Sequence, residues 1–412
     1  MLSSSTSKLH IAWAGTWFFV SIGLAPLAVA SCATSDHDAA SPQEDAATLL
    51  DGGPLDRGSD TDGSADAGCG DASCEILSCD EADFCAIPTN VDARYALTSI
   101  WGSAANDVWA VGSAGTVIHW DGATWTNVPS GRPETLRSIW GSSAQDIWIV
   151  STPSVILRSN GFKNGTATFT LAGPIPEISD GTLLNAVWGP GADAVFVAGE
   201  RTGWYPLDSM WRHVEGVASG DDSAAEWEVA STYCREDPCF EVNAMWGTSA
   251  SDLWVVGAGG GLRRSKGAVG NGGSEQWMNV KTTLTTASLN GIWGRSASDV
   301  WIVGDHGTIR HWTNDPTQRW QIVPSPTTEN LRSVWGSGVN DVWAVGDAGT
   351  ILHFDGTAWK TTTATLPSGP EPRLYGVWGS GPNDVWVVGE GIVLHFTGAK
   401  AKAASSADGD SR

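Results

Sequence analysis

DVWAVGDAGTILHFDGTAW, residues 341–359, contains two tryptophans and two apolar runs that are separated by glycine-containing turns. Close copies of this stretch occur along most of the chain, and each copy follows a Trp-Gly dipeptide. Seven such dipeptides occur, and their tryptophans are Trp101, Trp140, Trp188, Trp246, Trp293, Trp335 and Trp378. A motif that recurs in this way along most of a chain is typical of folds built from one repeated supersecondary unit.

Each unit has the same pattern after its Trp-Gly dipeptide. An aspartate stands six residues after the tryptophan in six units, and Ala194 replaces it in the third unit. Two residues further on stands an aromatic side chain, which is tryptophan except for Phe196. Alternating aromatic and β-branched residues predict four short strands per unit, and Asp121-Gly122 and Asp355-Gly356 predict tight hairpin turns. The sequence therefore predicts an all-β fold, a seven-bladed β-propeller of four-stranded antiparallel blades.

The seventh unit lacks a fourth strand after Phe396. An incomplete blade would expose a row of unpaired backbone groups. Residues 84–90 (FCAIPTN) are similar to the fourth-strand residues 125–130 (WTNVPS) of the first unit. We therefore expect an N-terminal strand to close the ring.

Most of the 24 tryptophans occupy repeated positions. Because the faces of propeller blades pack on each other, these side chains are predicted to fill the wedges between blades and not to form a sugar-binding surface. Trp211 is assigned to the start of the fourth strand of unit three. Trp227 has no place in the repeat by this alignment.

Residues 215–242 form the longest connection between units. Long loops on rigid scaffolds often carry function, so this connection is the predicted recognition element. Its candidate ligand-binding residues are Trp227, Tyr233, Arg235 and Asp237. A decorative insertion without function is the alternative interpretation.

Four histidines recur near the end of third strands, namely His119, His311, His353 and His395. Equivalent positions on different blades form a wide ring, so these side chains cannot share one metal ion. A repeated structural hydrogen bond or a solvent-facing strand end is the preferred interpretation. No metal site, cofactor or catalytic residue is predicted.

The 412-residue chain has a net charge of −23, and residues 33–85 contain 14 acidic residues and one arginine. Since no basic stripe offsets repulsion from phosphates, nucleic acid is excluded as a partner. Residues 33–68 have no aromatic side chain, which predicts a disordered tether.

The apolar run from Ile11 to Ala30 has the character of an export signal. It ends in Val29-Ala30-Ser31-Cys32, which resembles the lipobox of bacterial lipoproteins. This resemblance implies cleavage before Cys32 and lipid attachment to it, and Ala33 implies sorting to the outer membrane. A plain signal peptide and an uncleaved membrane anchor remain as alternatives.

Removing Cys32 from the count of seven cysteines leaves an even number, which favours disulfides in an oxidising compartment. If the two cysteines of the long connection pair locally, the others allow three connectivities. The candidates are Cys69, Cys74, Cys79, Cys85, Cys234 and Cys239.

The unit resembles BNR/Asp-box propeller repeats, particularly those of the photosystem II stability and assembly factor family, through the W-A-V-G strand, the G-T-I strand and the D-G-x-T-W turn. The resemblance implies the fold. The turn at residues 120–125 is shorter than a full Asp-box and lacks its leading Ser or Thr.

The predicted organisation is a signal peptide (1–31), an acidic tether (32–68), a Cys-rich segment with the closing strand (69–92), the propeller (93–398) and a disordered tail (399–412). The preferred function is a monomeric, non-catalytic binding or scaffold module on a lipid anchor at the cell envelope, with a protein or glycan ligand. The alternative is a glycoside hydrolase of the sialidase-like Asp-box type. No nucleophile motif of a known hydrolase class occurs in the sequence.

Overall fold

The computed structural model describes residues 77–152, 154–173, 175, 182–202, 208–213, 227–230, 240–265, 277–313 and 319–398. The chain divides into two units, residues 1–67 and 68–412, and all described residues lie in the second. This unit contains seven antiparallel four-stranded sheets, which confirms the predicted seven-bladed β-propeller.

In six blades the strands follow in chain order, and the seventh blade borrows its fourth strand from the N-terminal side. The first strands are β2 (Leu97–Ala104), β6 (Leu136–Ser143), β10 (Leu184–Gly191), β14 (Val242–Ser249), β18 (Leu289–Ser296), β22 (Leu331–Gly338) and β26 (Leu374–Gly381). The second strands are β3 (Asp107–Gly112), β7 (Asp146–Ser151), β11 (Ala194–Thr202), β15 (Asp252–Gly257), β19 (Asp299–Gly304), β23 (Asp341–Gly346) and β27 (Asp384–Gly389).

The outer half of each blade has shorter strands. The third strands are β4 (Val117–Trp120), β8 (Ile156–Ser159), β12 (Asp208–His213), β16 (Leu262–Ser265), β20 (Thr308–Trp312), β24 (Ile351–Phe354) and β28 (Ile392–Phe396). The fourth strands are β5 (Trp125–Asn127), β9 (Phe169–Leu171), β13 (Trp227–Val229), β17 (Trp277–Asn279), β21 (Gln321–Ile322), β25 (Trp359–Thr361) and β1 (Cys85–Ala86). Neighbouring first strands pack on each other around the ring, including β2 on β26, so they are the innermost strands.

The Asp-Gly turns between third and fourth strands have the predicted conformation. Gly122 and Gly356 adopt φ values of 97° and 90°. In blade one the Asp121 carboxylate accepts the backbone N–H groups of Ala123 and Thr124, and in blade six the Asp355 carboxylate accepts those of Thr357 and Ala358. The turn therefore needs a glycine for its left-handed residue and an aspartate to bind the free N–H groups.

The N-terminal strand β1 pairs with β28 in an antiparallel register, with Cys85 opposite His395. It is shorter than the predicted residues 84–90, although the Ile87 N–H also donates to Val393. On its other side, Phe84 exchanges backbone hydrogen bonds with Thr363 and Thr365, which follow β25. The segment therefore lies between the last two blades of the chain.

The Trp-Gly dipeptides form a ring of contacts between blades. The indole of each dipeptide lies against the glycine of the next blade, so that a β-carbon there would stand 2.5–3.0 Å from a ring carbon. Trp378 of the seventh blade lies on Gly102 of the first blade, which completes the ring. The repeated glycine is thus required because the preceding blade's tryptophan occupies the space of its side chain.

Gly379→Ala is expected to lower the free energy of unfolding by about 1–3 kcal/mol through overpacking. Its β-carbon would stand 2.6 Å from Cη2 of Trp335 and 2.5 Å from the Asp384 carbonyl oxygen. Gly381→Ala in the same strand is the matched control, since nothing lies within 4 Å of that position. Denaturant unfolding of both variants measures the difference, and equal midpoints would show that the close approach is not needed.

A second set of aromatic contacts joins the outer strands to the preceding blade. An aromatic ring at or next to the start of a fourth strand stands edge-on to the second-strand tryptophan of the blade before it. The pairs, with centroid distances, are Trp125–Trp386 (5.3 Å), Phe169–Trp109 (6.4 Å), Trp227–Trp148 (5.9 Å), Trp320–Trp254 (5.6 Å), Trp359–Trp301 (5.4 Å) and Phe84–Trp343 (5.3 Å). This geometry is the favoured one for aromatic rings and confirms that the tryptophans fill the wedges between blades.

The predicted alignment of unit three is wrong. Trp211 lies in the third strand β12, opposite Val197 of β11, and Trp227 begins the fourth strand β13. The chain between β11 and β12 is longer here than in the other units, which displaces the later strands along the sequence. As a consequence, β13 divides the predicted 215–242 connection in two.

Candidate functional site

In the six blades that have it, the repeated aspartate holds the first three strands together. In blade six, Asp341 Oδ1 lies 3.1 Å from Trp343 Nε1 and 2.7 Å from His353 Nε2, while Oδ2 accepts from the Ser337 hydroxyl. Burial raises the pKa of Asp341, but the hydrogen bonds from His353 and Ser337 outweigh it and hold the pKa below its ordinary value. The carboxylate is therefore a stable ion at neutral pH with all of its bonds inside the blade.

The four repeated histidines belong to this network. Their Nε2 atoms lie 2.6–2.8 Å from the aspartates of their own blades in the pairs His119–Asp107, His311–Asp299, His353–Asp341 and His395–Asp384. Arg158 and Arg264 replace histidine in two other blades and bind Asp146 and Asp252. The predicted structural hydrogen bond is confirmed. No group of three His, Cys, Asp or Glu side chains among the described residues is placed to hold a metal ion.

Trp227 cannot act as the exposed ligand anchor that the sequence predicted. Its side chain is 1% exposed, it lies in the core cluster with Trp148, and its Nε1 donates to the Ala172 carbonyl at 3.1 Å. That prediction is wrong because the residue occupies the repeated fourth-strand position. Tyr233, Arg235 and Asp237 lie outside the described residues, and so the rest of the loop remains a prediction.

The predicted covalent sites are only partly within the described residues. Cys79 and Cys85 are described, with Sγ of Cys85 3.4 Å from the Cys79 carbonyl oxygen. Cys32, Cys69, Cys74, Cys234 and Cys239 lie outside them. The disulfide framework and the lipid attachment therefore stay predictions. In the described part of the chain no helix has the length and apolar character needed to span a membrane.

A cavity of about 710 Å³ opens at the propeller axis. Its wall contains residues that precede first strands, such as Thr135 and Glu241, and residues that follow second strands, such as Ser113 and Asp305. The cavity therefore opens on the face that carries the second-to-third and fourth-to-first connections. Side chains on the innermost strands supply the rest of the wall.

One position of the innermost strands dominates this wall. The second residue of each first strand is polar, and the seven residues, here called the axial ring, are Thr98, Arg137, Asn185, Asn243, Asn290, Arg332 and Tyr375. Four of them donate to the backbone carbonyl of the first-strand leading residue in the next blade: Thr98 to Leu136, Asn185 to Val242, Asn243 to Leu289 and Asn290 to Leu331. These bonds tie neighbouring blades together at the cavity wall.

Two further axial-ring residues are held by acids of their own blades. Arg332 donates to both carboxylate oxygens of Asp347, at 2.9 and 2.7 Å, and this contact raises the pKa of Arg332. The Tyr375 hydroxyl donates to Glu390 at 3.0 Å. Burial raises the pKa of Tyr375, and the bond to Glu390 acts in the same direction. Tyr375 is therefore a neutral hydrogen-bond donor near pH 7.

Arg137 is the remaining axial-ring residue. Its side chain is exposed to the cavity and makes no hydrogen bond or ion pair with any residue that the structure describes. The repeated residues do not predict the axial ring, because its position is not occupied by one residue type. The available signal was the opposite one: at the second position of the L-x-S-I-W-G motif the polar residue changes from unit to unit, whereas the first and fourth positions stay apolar and Trp-Gly is kept.

The fold is a seven-bladed β-propeller with an open cavity at its axis. No protein-family model matches the sequence, and no curated protein is significantly similar to it. Among solved structures, the chain is similar to YCF48 bound to D1 peptide (TM-score 0.56, 16% identity, 79% of this chain and 100% of that chain). It is also similar to YCF48 from Cyanidioschyzon merolae (TM-score 0.57, 16% identity, 76% and 98%).

A third similar structure is an enzyme of the same architecture. It is a catalytically inactive variant of virginiamycin B lyase from Staphylococcus aureus with quinupristin (TM-score 0.58, 13% identity, 75% of this chain and 96% of that chain). At these identities the similarities show the fold alone, since one propeller can carry unrelated functions.

Proposed function

We propose that the protein is a non-catalytic binding propeller that takes a polypeptide segment of a partner protein in its axial cavity. The observation that carries this proposal is the cavity itself: an open space of about 710 Å³ with polar walls. Its axial ring is fixed by bonds between blades, so that most of the wall is formed before a ligand arrives. A preformed concave site with a few placed polar groups is the usual form of a binding site.

A polypeptide ligand fits this wall better than a sugar. None of the described tryptophans lines the cavity, so they offer no stacking platform there. The wall instead presents hydroxyl, amide, carboxylate and guanidinium groups, which suit backbone amides and charged side chains. The similar YCF48 structure was solved with a D1 peptide bound, which supports the idea that a propeller of this fold can hold a peptide.

The glycosidase alternative receives less support from the site. In sialidase-like enzymes a tyrosine acts as nucleophile, and Tyr375 is the tyrosine of this cavity wall. Its raised pKa favours the neutral phenol, whereas a nucleophile is activated by a lowered pKa or by a base. The bond from the Tyr375 hydroxyl to Glu390 also has a structural role, since it joins the first strand β26 to the residue that follows the second strand β27.

Thr135→Trp is expected to abolish peptide binding without unfolding the protein. Thr135 lines the cavity and is half-buried, so an indole there would fill the space from the rim. The measurement is selection of a displayed library of random peptides on the purified full chain, followed by binding of the enriched peptides to both proteins. Thr357→Trp, an exposed residue of an Asp-Gly turn on the opposite face, is the control.

We further propose that the propeller is displayed at the cell envelope on a lipid attached to Cys32. The support is the lipobox-like sequence and the acidic, aromatic-free segment that follows it. Cys32→Ser is expected to abolish incorporation of labelled palmitate and to release the protein from membranes or block its processing. Unchanged labelling of this variant would contradict the anchor and leave the binding proposal intact.

A further inference from the structure

The charged groups of the cavity wall are unequally compensated. Arg332 is neutralised by its two-bond contact with Asp347. Arg137 projects into the same cavity with no acidic partner among the described residues. Its neighbours in the wall are hydroxyl groups, including those of Thr98, Ser99 and Thr135. This side of the cavity therefore offers an uncompensated positive charge surrounded by hydrogen-bonding groups.

Negative charge without a cationic partner lies two to three blades further around the axis. Glu241 and Asp305 line the cavity, and each accepts a hydrogen bond from a neutral amide, at 2.9 Å from Asn185 and at 2.8 Å from Asn290. Neither carboxylate forms an ion pair within the described ranges, although Asp305 contributes a coulombic effect that raises the pKa of Arg332. This arc of the wall, formed by blades three to five, therefore carries negative charge without a matching cation.

The unpaired positive charge of Arg137 and the unpaired carboxylates lie in the same cavity. Clefts with low-dielectric walls concentrate electrostatic fields, so separated charges act more strongly here than on an open surface. Complementary charges on a ligand steer its approach and fix its register. Moreover, Arg137 is the axial-ring residue that contributes no bond to the ring, so a ligand can bind it without breaking a contact that stabilises the fold.

We propose that the bound polypeptide segment is dipolar: it places a carboxylate on Arg137 and an ammonium or guanidinium group on Glu241, in the arc of the wall that also carries Asp305. This inference rests on the proposed peptide-binding function and specifies its ligand. The carboxylate is supplied by an Asp or Glu side chain or by a chain terminus, which have the same chemistry. A guanidinium–carboxylate contact suits Arg137 because such pairs form two parallel hydrogen bonds.

The test uses fluorescent synthetic copies of the enriched peptides and the full-length protein. Each peptide is made in four forms: unchanged, with its acidic residues replaced by Gln, with its basic residues replaced by Gln, and with its C-terminus amidated. The protein variants are Arg137→Gln and Glu241→Gln, and the second keeps an acceptor for Asn185. Lys360→Gln, which removes an exposed charge on a fourth strand, is the control.

We expect the selected peptides to contain both charges and Arg137→Gln to weaken the unchanged peptide about tenfold or more. For the peptide form without carboxylates, Arg137→Gln should have the same affinity as the original protein. For the form without basic groups, Glu241→Gln should have the same affinity as the original protein. Loss on amidation identifies the chain terminus as the carboxylate, and loss on Glu or Asp replacement identifies a side chain.

Two results would overturn the inference in different ways. If peptides bind and Thr135→Trp blocks them, but Arg137→Gln and Glu241→Gln bind as tightly as the original protein, the dipolar ligand is wrong and the binding function stands. If no peptide is enriched over the Thr135→Trp protein, both proposals fall. The melting temperatures of the variants are expected to be unchanged, which excludes unfolding as the cause of lost binding. The Arg137 side chain has no bonding partner in the described chain, and Glu241→Gln keeps an acceptor for Asn185.

Discussion

Phe84→Ala is expected to lower the free energy of unfolding by about 3–5 kcal/mol, a loss typical of a large aromatic side chain removed from a core. Phe84 is fully buried and contacts Trp343 and Phe396, at centroid distances of 5.3 and 5.4 Å. It occupies in the seventh blade the place that a fourth-strand tryptophan takes elsewhere. Denaturant unfolding, followed by tryptophan fluorescence, measures the loss.

A matched control lies a few residues earlier in the chain. Leu77 is 39% exposed, so Leu77→Ala should change the stability little. A pair of shortened chains extends the test: one beginning at residue 69 should retain full stability, and one beginning at residue 93 should lose it, because β28 would be left without a partner strand. Equal melting temperatures for the two chains would contradict a closing role for β1.

Trp227→Ala is expected to be equally damaging, at about 3–5 kcal/mol. The indole packs edge-on to Trp148 at 5.9 Å, contacts His213 at 5.2 Å and donates to the Ala172 carbonyl of blade two. Its removal would leave a cavity between blades two and three together with an unpaired backbone carbonyl. The thermal and denaturant midpoints should therefore both fall.

Leu171→Ala provides the comparison for this change. Leu171 also lies on a fourth strand, but its side chain is 64% exposed and should contribute little. If Trp227→Ala instead keeps its stability and loses peptide binding, the sequence-based assignment of Trp227 to a recognition loop would be restored, and the packing described for blade three would be incorrect.

The fold could be predicted from the sequence because its determining residues recur. Trp-Gly recurs in seven units and Asp-x-Trp in six, so a coincidental match at one unit does not mislead. The alignment failed in unit three, where Ala194 replaces the aspartate and the third strand begins late. There the count of residues from Trp188 no longer gives the strand, and Trp211 was assigned to the fourth-strand position that Trp227 occupies.

The candidate site could not be predicted in the same way. Its residues come from seven different strands, and each is unremarkable within its own unit. Only the closure of the ring brings Arg137, Glu241 and Asp305 into one cavity. Residue spacing alone also does not reveal which polar side chains of the cavity are already bonded within the protein, as Arg332 is to Asp347.

The contact of each Trp-Gly indole with the next blade's glycine has a consequence for how the domain fails. Every joint uses a tryptophan from one blade and a glycine from its successor, and Trp378 on Gly102 makes the succession circular. Open arrays of repeats have terminal units that contact one neighbour and can fray first. A closed ring of blades has no terminal unit, and each blade contacts two neighbours. We therefore expect the seven blades to unfold together in one cooperative transition.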